Sequence, residues 1–301
     1  MYEVNEYLVG DARETLATLG HGIADLIIAD PPYWRVVTEY WDRKHRTLQD
    51  YTTWVAAWLE EVTKVARPAA TLVLFGYTRN LLALYDSFQS RGWMFKQEIV
   101  IDKGKQAMAG RNTQPYTMFP TTTEVAWVFT RDTSRRVVDL LRTRQKELGL
   151  TAKHINEAMG AKATGGGMWS IITGDNVGRK LPTSEQWERL QEVLEFSVPY
   201  CDIKPIFHLP EGLTNVWTDI QFYNRMEERI HPTQKPVELI SRFVQAMSDQ
   251  GSVVLDPFGG SGTTAISCID LNRQYILIDS DEAMVEKARK RIASHLLQGV
   301  S

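Results

Sequence analysis

Val253-Val254-Leu255-Asp256-Pro257-Phe258-Gly259-Gly260-Ser261-Gly262-Thr263-Thr264 is the stretch on which the reading of this chain turns. Aliphatic residues run into an acid, a Gly-rich turn follows, and Thr-Thr-Ala-Ile-Ser-Cys-Ile continues at helical spacing. That order describes a buried parallel strand, a tight turn and the start of a helix. Without Cβ atoms at Gly259, Gly260 and Gly262, the backbone has room to approach a bound small molecule. Some twenty residues on, Tyr275-Ile276-Leu277-Ile278-Asp279 reads as a second buried strand ending in an acid. In nucleoside-binding α/β folds such an acid accepts hydrogen bonds from ribose hydroxyls. Far upstream, the apolar run Ala24-Asp25-Leu26-Ile27-Ile28-Ala29 leads into Asp30-Pro31-Pro32-Tyr33, again a strand entering a loop.

Together the two stretches resemble the amino-methyltransferases of DNA, which methylate an exocyclic base nitrogen with S-adenosylmethionine. Asp-Pro-Pro-Tyr before the Gly-rich element resembles the circularly permuted order called β. The resemblance runs from about Tyr7 to His295, apart from a central segment. It implies that Asp30 and the Pro31 carbonyl orient the target amine, that Pro31 and Pro32 hold the loop rigid, and that Tyr33 stacks on a flipped base. It also implies cofactor contacts from Asp11, Asp256, Phe258, Gly259, Gly260, Gly262 and Asp279. His231-Pro232-Thr233-Gln234-Lys235-Pro236 matches the family's element beside the cofactor, which adds Thr233 and Lys235. Pro236 is equally a first-turn proline of the helix that follows. Asp in the first catalytic position is more typical of adenine-N6 enzymes and Ser of cytosine-N4 enzymes, so adenine is the expected base, with cytosine as the alternative. Double-stranded DNA, a homodimer and a place in restriction–modification follow from the same resemblance.

The global properties fit a protein of this size and kind. A chain of 301 residues holds one large α/β domain with an insertion, or two domains. Hydrophobic residues make up 43% and charged residues 24%, ordinary globular values that suggest neither disorder nor a membrane class. No apolar run approaches the ~20 residues of a membrane span. The N-terminus is not a signal peptide. Cys201 and Cys268 are too few and too far apart for a disulfide frame or a zinc site, which points to a reducing, cytoplasmic setting. Net charge is −3, which taken alone argues against a nucleic-acid binder. Its distribution argues the other way: ten Lys or Arg stand against five acids from Arg131 to Lys180, so this segment carries +5 and the rest −8. One basic surface on an acidic protein suits contact with phosphate, although a solvated helical face has the same composition.

Along the chain, strands are expected at Glu6–Asp11, ending in Gly-Asp, and at Asp25–Ala29, Thr71–Gly76, Phe95–Ile101, Glu124–Thr130, Val253–Asp256 and Tyr275–Asp279. Helices are expected at Ala12–Leu19, Asp50–Ala66, Arg79–Ser90, Val237–Met247 and Asp281–Leu297. Alternating apolar strands and helices predict a doubly wound, mostly parallel sheet covered on both faces, with ligands beyond the carboxyl ends of the strands. Asp11, Asp30, Asp256 and Asp279 all fall at such ends, and Asp11 is also a natural N-cap for the helix after it. Trp34 to Arg46 mixes aromatics with cations, as in a loop over nucleic acid or a half-buried surface loop. Lys103 to Pro120, with Lys105, Arg111 and Tyr116, reads as a long loop on the site side.

Residues 133–223 interrupt the pattern and divide the catalytic domain into parts 1–132 and 224–301. Helices at Val137–Leu148, Thr151–Met159 and Thr183–Leu194, with a turn at Gly165–Trp169, resemble a helix-turn-helix-like module. Position and charge assign this insertion to target recognition.

Other chemistries fit less well. Gly262 is followed by Thr263 and no lysine, which excludes a P-loop, and Pro257-Phe258 stands where a dinucleotide loop needs Gly-x-Gly. Covalent cytosine-C5 methylation needs a Pro-Cys pair that the chain lacks. No metal constellation is visible. A non-catalytic DNA-binding protein on the same scaffold is the rival reading, against which the intact Asp30 and Gly-rich loop count.

Overall fold

The computed structural model describes residues 4–34, 45–104, 119–160, 167–174, 180–222 and 229–298. Most of the expected loop after Tyr33 lies outside them, as do Lys105, Arg111, Tyr116, Gly165, Gly166 and Tyr223. The chain divides into two units, residues 1–131 with 206–301, and residues 132–205.

The larger unit is built on eight strands: β1 (Glu6–Val9), β2 (Ala24–Ala29), β3 (Ala66–Gly76), β4 (Trp93–Asp102), β5 (Thr123–Arg131), β6 (Val216–Trp217), β7 (Val253–Asp256) and β8 (Gln274–Asp279). They line up as β1-β8-β7-β2-β3-β5-β4-β6. Pairing is parallel throughout except where β5 runs antiparallel to β3 and β4. The doubly wound, mostly parallel sheet expected from the alternating pattern is therefore present. All six residues of β2 are buried, because a central parallel strand is covered on both faces. Leu26 and Ile28 pack on one face with α9 (Val237–Met247) and α10 (Thr263–Asp270). Ile27 and Ala29 pack on the other with α1 (Ala12–Thr18) and α2 (Leu48–Val65).

Those two cores locate the ligand crevice. From β7 the chain passes through α10 to β8 on one side, and from β2 through α2 to β3 on the other. The strand order thus reverses between β7 and β2, which are neighbours in register, Ile27 opposite Leu255. Open α/β sheets bind ligands at such a switch point, beyond the carboxyl ends of the strands.

Three local expectations need correction. The helix expected over Arg79–Ser90 is two short ones, α3 (Thr78–Leu82) and α4 (Tyr85–Gln89). Strand β3 begins at Ala66, through the Arg67-Pro68 pair expected to end a helix, because its first residues still reach the sheet beside β2. The stretch 206–222, assigned by sequence to the insertion, belongs to the sheet unit, where β6 adds a parallel strand to the edge of β4.

The smaller unit is helical: α5 (Ser134–Glu147), α6 (Ala152–Ala158), α7 (Met168–Thr173) and α8 (Ser184–Leu194). Met168-Trp169, read as part of a turn, opens α7 instead. Trp169, Ile172, Trp187 and Leu190 form a separate core with Val137 and Leu141. The backbone N–H of Trp169 donates to Asn156 Oδ1 at 2.9 Å, which fixes the start of α7 against α6. Arg144 donates to the carbonyls of Leu194 and Glu195 at the end of α8, and Arg142 to that of Thr173. Two of the segment's cations thus stitch the unit together, whereas Arg135, Arg136, Lys146, Lys153 and Lys180 are exposed. Among the described residues no helix is long and apolar enough to cross a membrane.

Candidate active site

Two loops leave the sheet side by side at the switch point. Asp256-Pro257-Phe258 continues β7, and Asp30-Pro31-Pro32-Tyr33 continues β2. On the β2 side, Tyr33 folds back so that its hydroxyl meets Asp30 Oδ1 and Glu124 Oε1. Lys235 Nζ reaches Glu124 Oε1 at 2.7 Å, Asp30 Oδ2 at 2.9 Å and the Tyr33 hydroxyl at 3.0 Å. Lys103 Nζ lies 3.3 Å from Glu124 Oε2. Two carboxylates, two ammonium groups and one phenol therefore form a single cluster.

Burial decides how these groups titrate. It pushes the Asp30 carboxyl up; Lys235 pulls it down, Glu124 pushes it up again, and it ends above the ordinary carboxylate range. Burial acts the same way on Glu124, but Lys235 and Lys103 outweigh it and hold that carboxyl down at about 2. Burial alone would lower Lys235, yet Asp30 and Glu124 keep it above the usual lysine value. The Tyr33 phenol is raised by burial and by the two carboxylates. The cluster thus holds a firm ammonium and a firm anion beside a carboxyl, Asp30, that is less committed to its charge.

Asn80, in α3 and buried, secures the loop from behind by donating to the carbonyls of Tyr33 and Trp34. Trp34 has φ +46°, an unusual value for a large residue. The Tyr33 ring meets the Tyr77 ring edge-on at 5.6 Å.

On the β7 side, the Gly-rich turn is tied to the end of β8. The N–H of Gly259 donates to the Ile278 carbonyl at 2.8 Å, and that of Gly260 to Asp279 Oδ2 at 2.9 Å. The Tyr7 hydroxyl donates to the Gly260 carbonyl at 2.7 Å. Asp256 turns inward, accepting from Phe258 N–H at 3.0 Å and from the Thr264 hydroxyl at 2.6 Å. The Phe258 ring packs on Trp54 and Trp58 of α2, at 5.7 and 5.2 Å between centroids. Asp11 caps α1 and is held by Arg13 at 2.8 Å. It follows β1, whose Val9 lies opposite Asp279.

The residues singled out by sequence are thus gathered at one edge of the sheet, with altered local partners. Lys235, read as lining a cofactor pocket, sits in the Asp30 cluster. Thr233 is exposed, its hydroxyl 3.0 Å from His231 Nδ1. Asp256 and Asp279 both brace the turn from within. Glu124, Asn80 and Tyr7 escaped the sequence reading, and Lys103 was placed only in a long loop on the site side. An acid opening the apolar run Val125–Phe129 was the available signal for Glu124.

Residues 24–290 match the family model described as DNA methylase, N6_N4_Mtase. The chain belongs to this family. Among curated proteins it is similar to the Type II methyltransferase M.HpaI of Haemophilus parainfluenzae, 42% identical over 83 residues. That match covers 27% of this chain and 26% of the relative. It is similar to the Type II methyltransferase M2.DpnII of Streptococcus pneumoniae, 45% identical over 62 residues, 21% of this chain and 23% of that one. The chain thus spans about a quarter of the length of these curated relatives in the matches. In fold it is similar to M1.HpyAVI in complex with SAM, with a TM-score of 0.57 at 19% identity over 95% of this chain and 98% of that chain. It is also similar to the cytosine-N4-specific PvuII DNA methyltransferase, with a TM-score of 0.56 at 13% identity over 96% and 90%.

Proposed function

We propose that this protein is a DNA methyltransferase that uses S-adenosylmethionine to methylate the N6 amino group of adenine in double-stranded DNA, on a base flipped out of the stack. The observation that carries this reading is the pairing of the Asp30 loop with the Gly-rich turn across the β2–β7 switch point. Family membership and the likeness to Type II methyltransferases support it, together with a role in restriction–modification.

The donor set suits the cofactor. S-adenosylmethionine, when bound, supplies an electrophilic methyl on a positively charged sulfur. Asp11, Asp30, Asp256 and Asp279 gather oxygen acceptors at this edge of the sheet, which suit the cofactor's ammonium and hydroxyl groups. Asp279 keeps lone pairs for ribose hydroxyls while bracing Gly260, because a carboxylate accepts about four hydrogen bonds. Asp256, Gly259, Gly260 and Gly262 shape the turn beside the methionine part, Phe258 offers its backbone there, Asp11 serves the adenine end, and Thr233 lines the rim.

An exocyclic amine is a weak nucleophile because its lone pair is delocalised into the ring. Asp30 accepts one of its N–H groups and the Pro31 carbonyl the other, which turns the lone pair out of conjugation and stabilises the charge that develops. Prolines 31 and 32 fix φ and bring no competing N–H. The Tyr33 ring stacks on the base. Holding amine and methyl in line contributes on the order of 10⁵–10⁸ M in effective concentration. Asp at position 30 favours adenine; cytosine-N4 is the second reading, carried by the likeness to the PvuII enzyme. The helical unit reads the target through its exposed cations, and the exposed Phe207, Leu209 and Val216 near edge strand β6 support a homodimer.

Nucleoside mass spectrometry of DNA from cells expressing the protein tests this, beside Asp30→Ala. N6-methyladenine in the wild type alone is the expected result. N4-methylcytosine corrects the base, and neither mark, with folded protein that binds cofactor, rejects the reading. A monomeric mass in light scattering at micromolar concentration rejects the dimer.

A further inference from the structure

Glu124 is the second residue of β5, which runs against both of its neighbours, so it stands at the same edge of the sheet as Asp30. It is 2% exposed. A carboxylate so far from water is costly unless it is well paired, and here it meets Lys235, Lys103 and the Tyr33 hydroxyl. Lys235 and Tyr33 each touch both Glu124 and Asp30. Asp30 is therefore one of two anions sharing the same donors.

That sharing matters when a base arrives. To accept an amine N–H, Asp30 must give up part of its bonding to Lys235 and Tyr33. With Asp30 as their only anion, the move would strand a buried ammonium and a buried phenol. Glu124 is already paired with the ammonium, at 2.7 Å beside 2.9 Å for Asp30, so Lys235 keeps an anion when Asp30 turns to the base. We infer that Glu124 is a positioning residue: it holds Lys235 and Tyr33 in place so that the Asp30 carboxylate is released to the amino group of the target base. The inference rests on the reading of Asp30 as the amine acceptor.

The charged groups around Asp30 come from several elements. Glu124 stands on β5 with Lys103 behind it, Lys235 and His231 precede α9, and Asp256 ends the neighbouring strand. Glu124→Gln removes the carboxylate that pushes the Asp30 proton affinity up and leaves Lys235, which pulls it down. The acid limb of the turnover–pH profile should then move to lower pH.

The experiment compares wild type, Glu124→Gln and Glu124→Asp for methyl transfer to DNA, S-adenosylmethionine affinity by calorimetry and thermal unfolding. Expected for Glu124→Gln is a fall in kcat on the order of tenfold to a hundredfold, the usual scale for a group that orients a reacting residue. Cofactor affinity should stay within about twofold, the acid limb should shift down, and Glu124→Asp should recover part of the rate. Unchanged turnover and pH profile overturn the inference. So does a loss of rate that follows melting temperature and cofactor affinity, with the acid limb fixed and no rescue by Asp. A wild type that marks neither adenine nor cytosine overturns the underlying reading as well, which separates the two failures.

Discussion

Asp256 illustrates how an acid at a strand end acquires a job that its position alone does not reveal. Its carboxyl is 5% exposed and receives two hydrogen bonds from its own turn. Burial nevertheless dominates and pushes its pKa up to about 7 from the ordinary 3.8. Through that window the folded chain holds a proton that the unfolded chain has lost, so this group makes stability fall as pH rises. Asp256→Asn should flatten the decline in urea-unfolding free energy between those pH values, and an unaltered slope would reject the assignment. Glu124 has the opposite sign: its lowered pKa contributes stability above the ordinary 4.5 that is lost as pH falls toward about 2. Two buried acids in one site thus titrate in opposite directions, because one has two ammonium partners and the other none.

The Gly-rich turn, at the scale of one element, has a different rationale from the one its sequence suggests. Gly262 caps α10 at φ +75°, and a Cβ there would lie 3.0 Å from Ile292. The chain's own packing explains that glycine. Gly260, at φ +47°, faces open space, with no atom nearer than 3.8 Å to an added Cβ. On the proposed function it is the glycine that would leave room for the cofactor. Gly262→Ala should cost about 1–2 kcal/mol or more in urea unfolding, from left-handed strain plus the clash. Gly260→Ala should cost about 1 kcal/mol of fold stability while weakening S-adenosylmethionine binding by more than that stability change accounts for. Equal effects of the two on cofactor affinity would remove the distinction.

For the whole molecule, the division into a sheet unit and a helical unit makes separable predictions. Trp187 is fully buried in the helical core, donates to the Val198 carbonyl at 2.6 Å and packs on Phe196. Trp187→Ala should destabilise that unit by about 3–5 kcal/mol. DNA affinity by fluorescence anisotropy should fall, while calorimetry finds S-adenosylmethionine binding unchanged, since its proposed residues lie in the sheet unit. Loss of both would mean that the helical unit does more than engage DNA.

Sequence alone determined seven of the eight described strands, the two loops that leave β2 and β7, and the gathering of Asp11, Asp30, Asp256 and Asp279 at one edge. Burial on both faces of a parallel sheet writes itself as continuous apolar runs, and strand ends are marked by acids and turn residues. Tertiary structure decided the partners. Glu124 and Lys235 are 111 residues apart and meet only because β5 reverses direction beside β3. No local pattern encodes that contact, since a single acid at the start of an apolar run reads the same whether it faces solvent or a buried ammonium. The edge strand β6 was missed for a related reason: two residues carry too little periodicity to register, and only pairing with β4 makes them a strand.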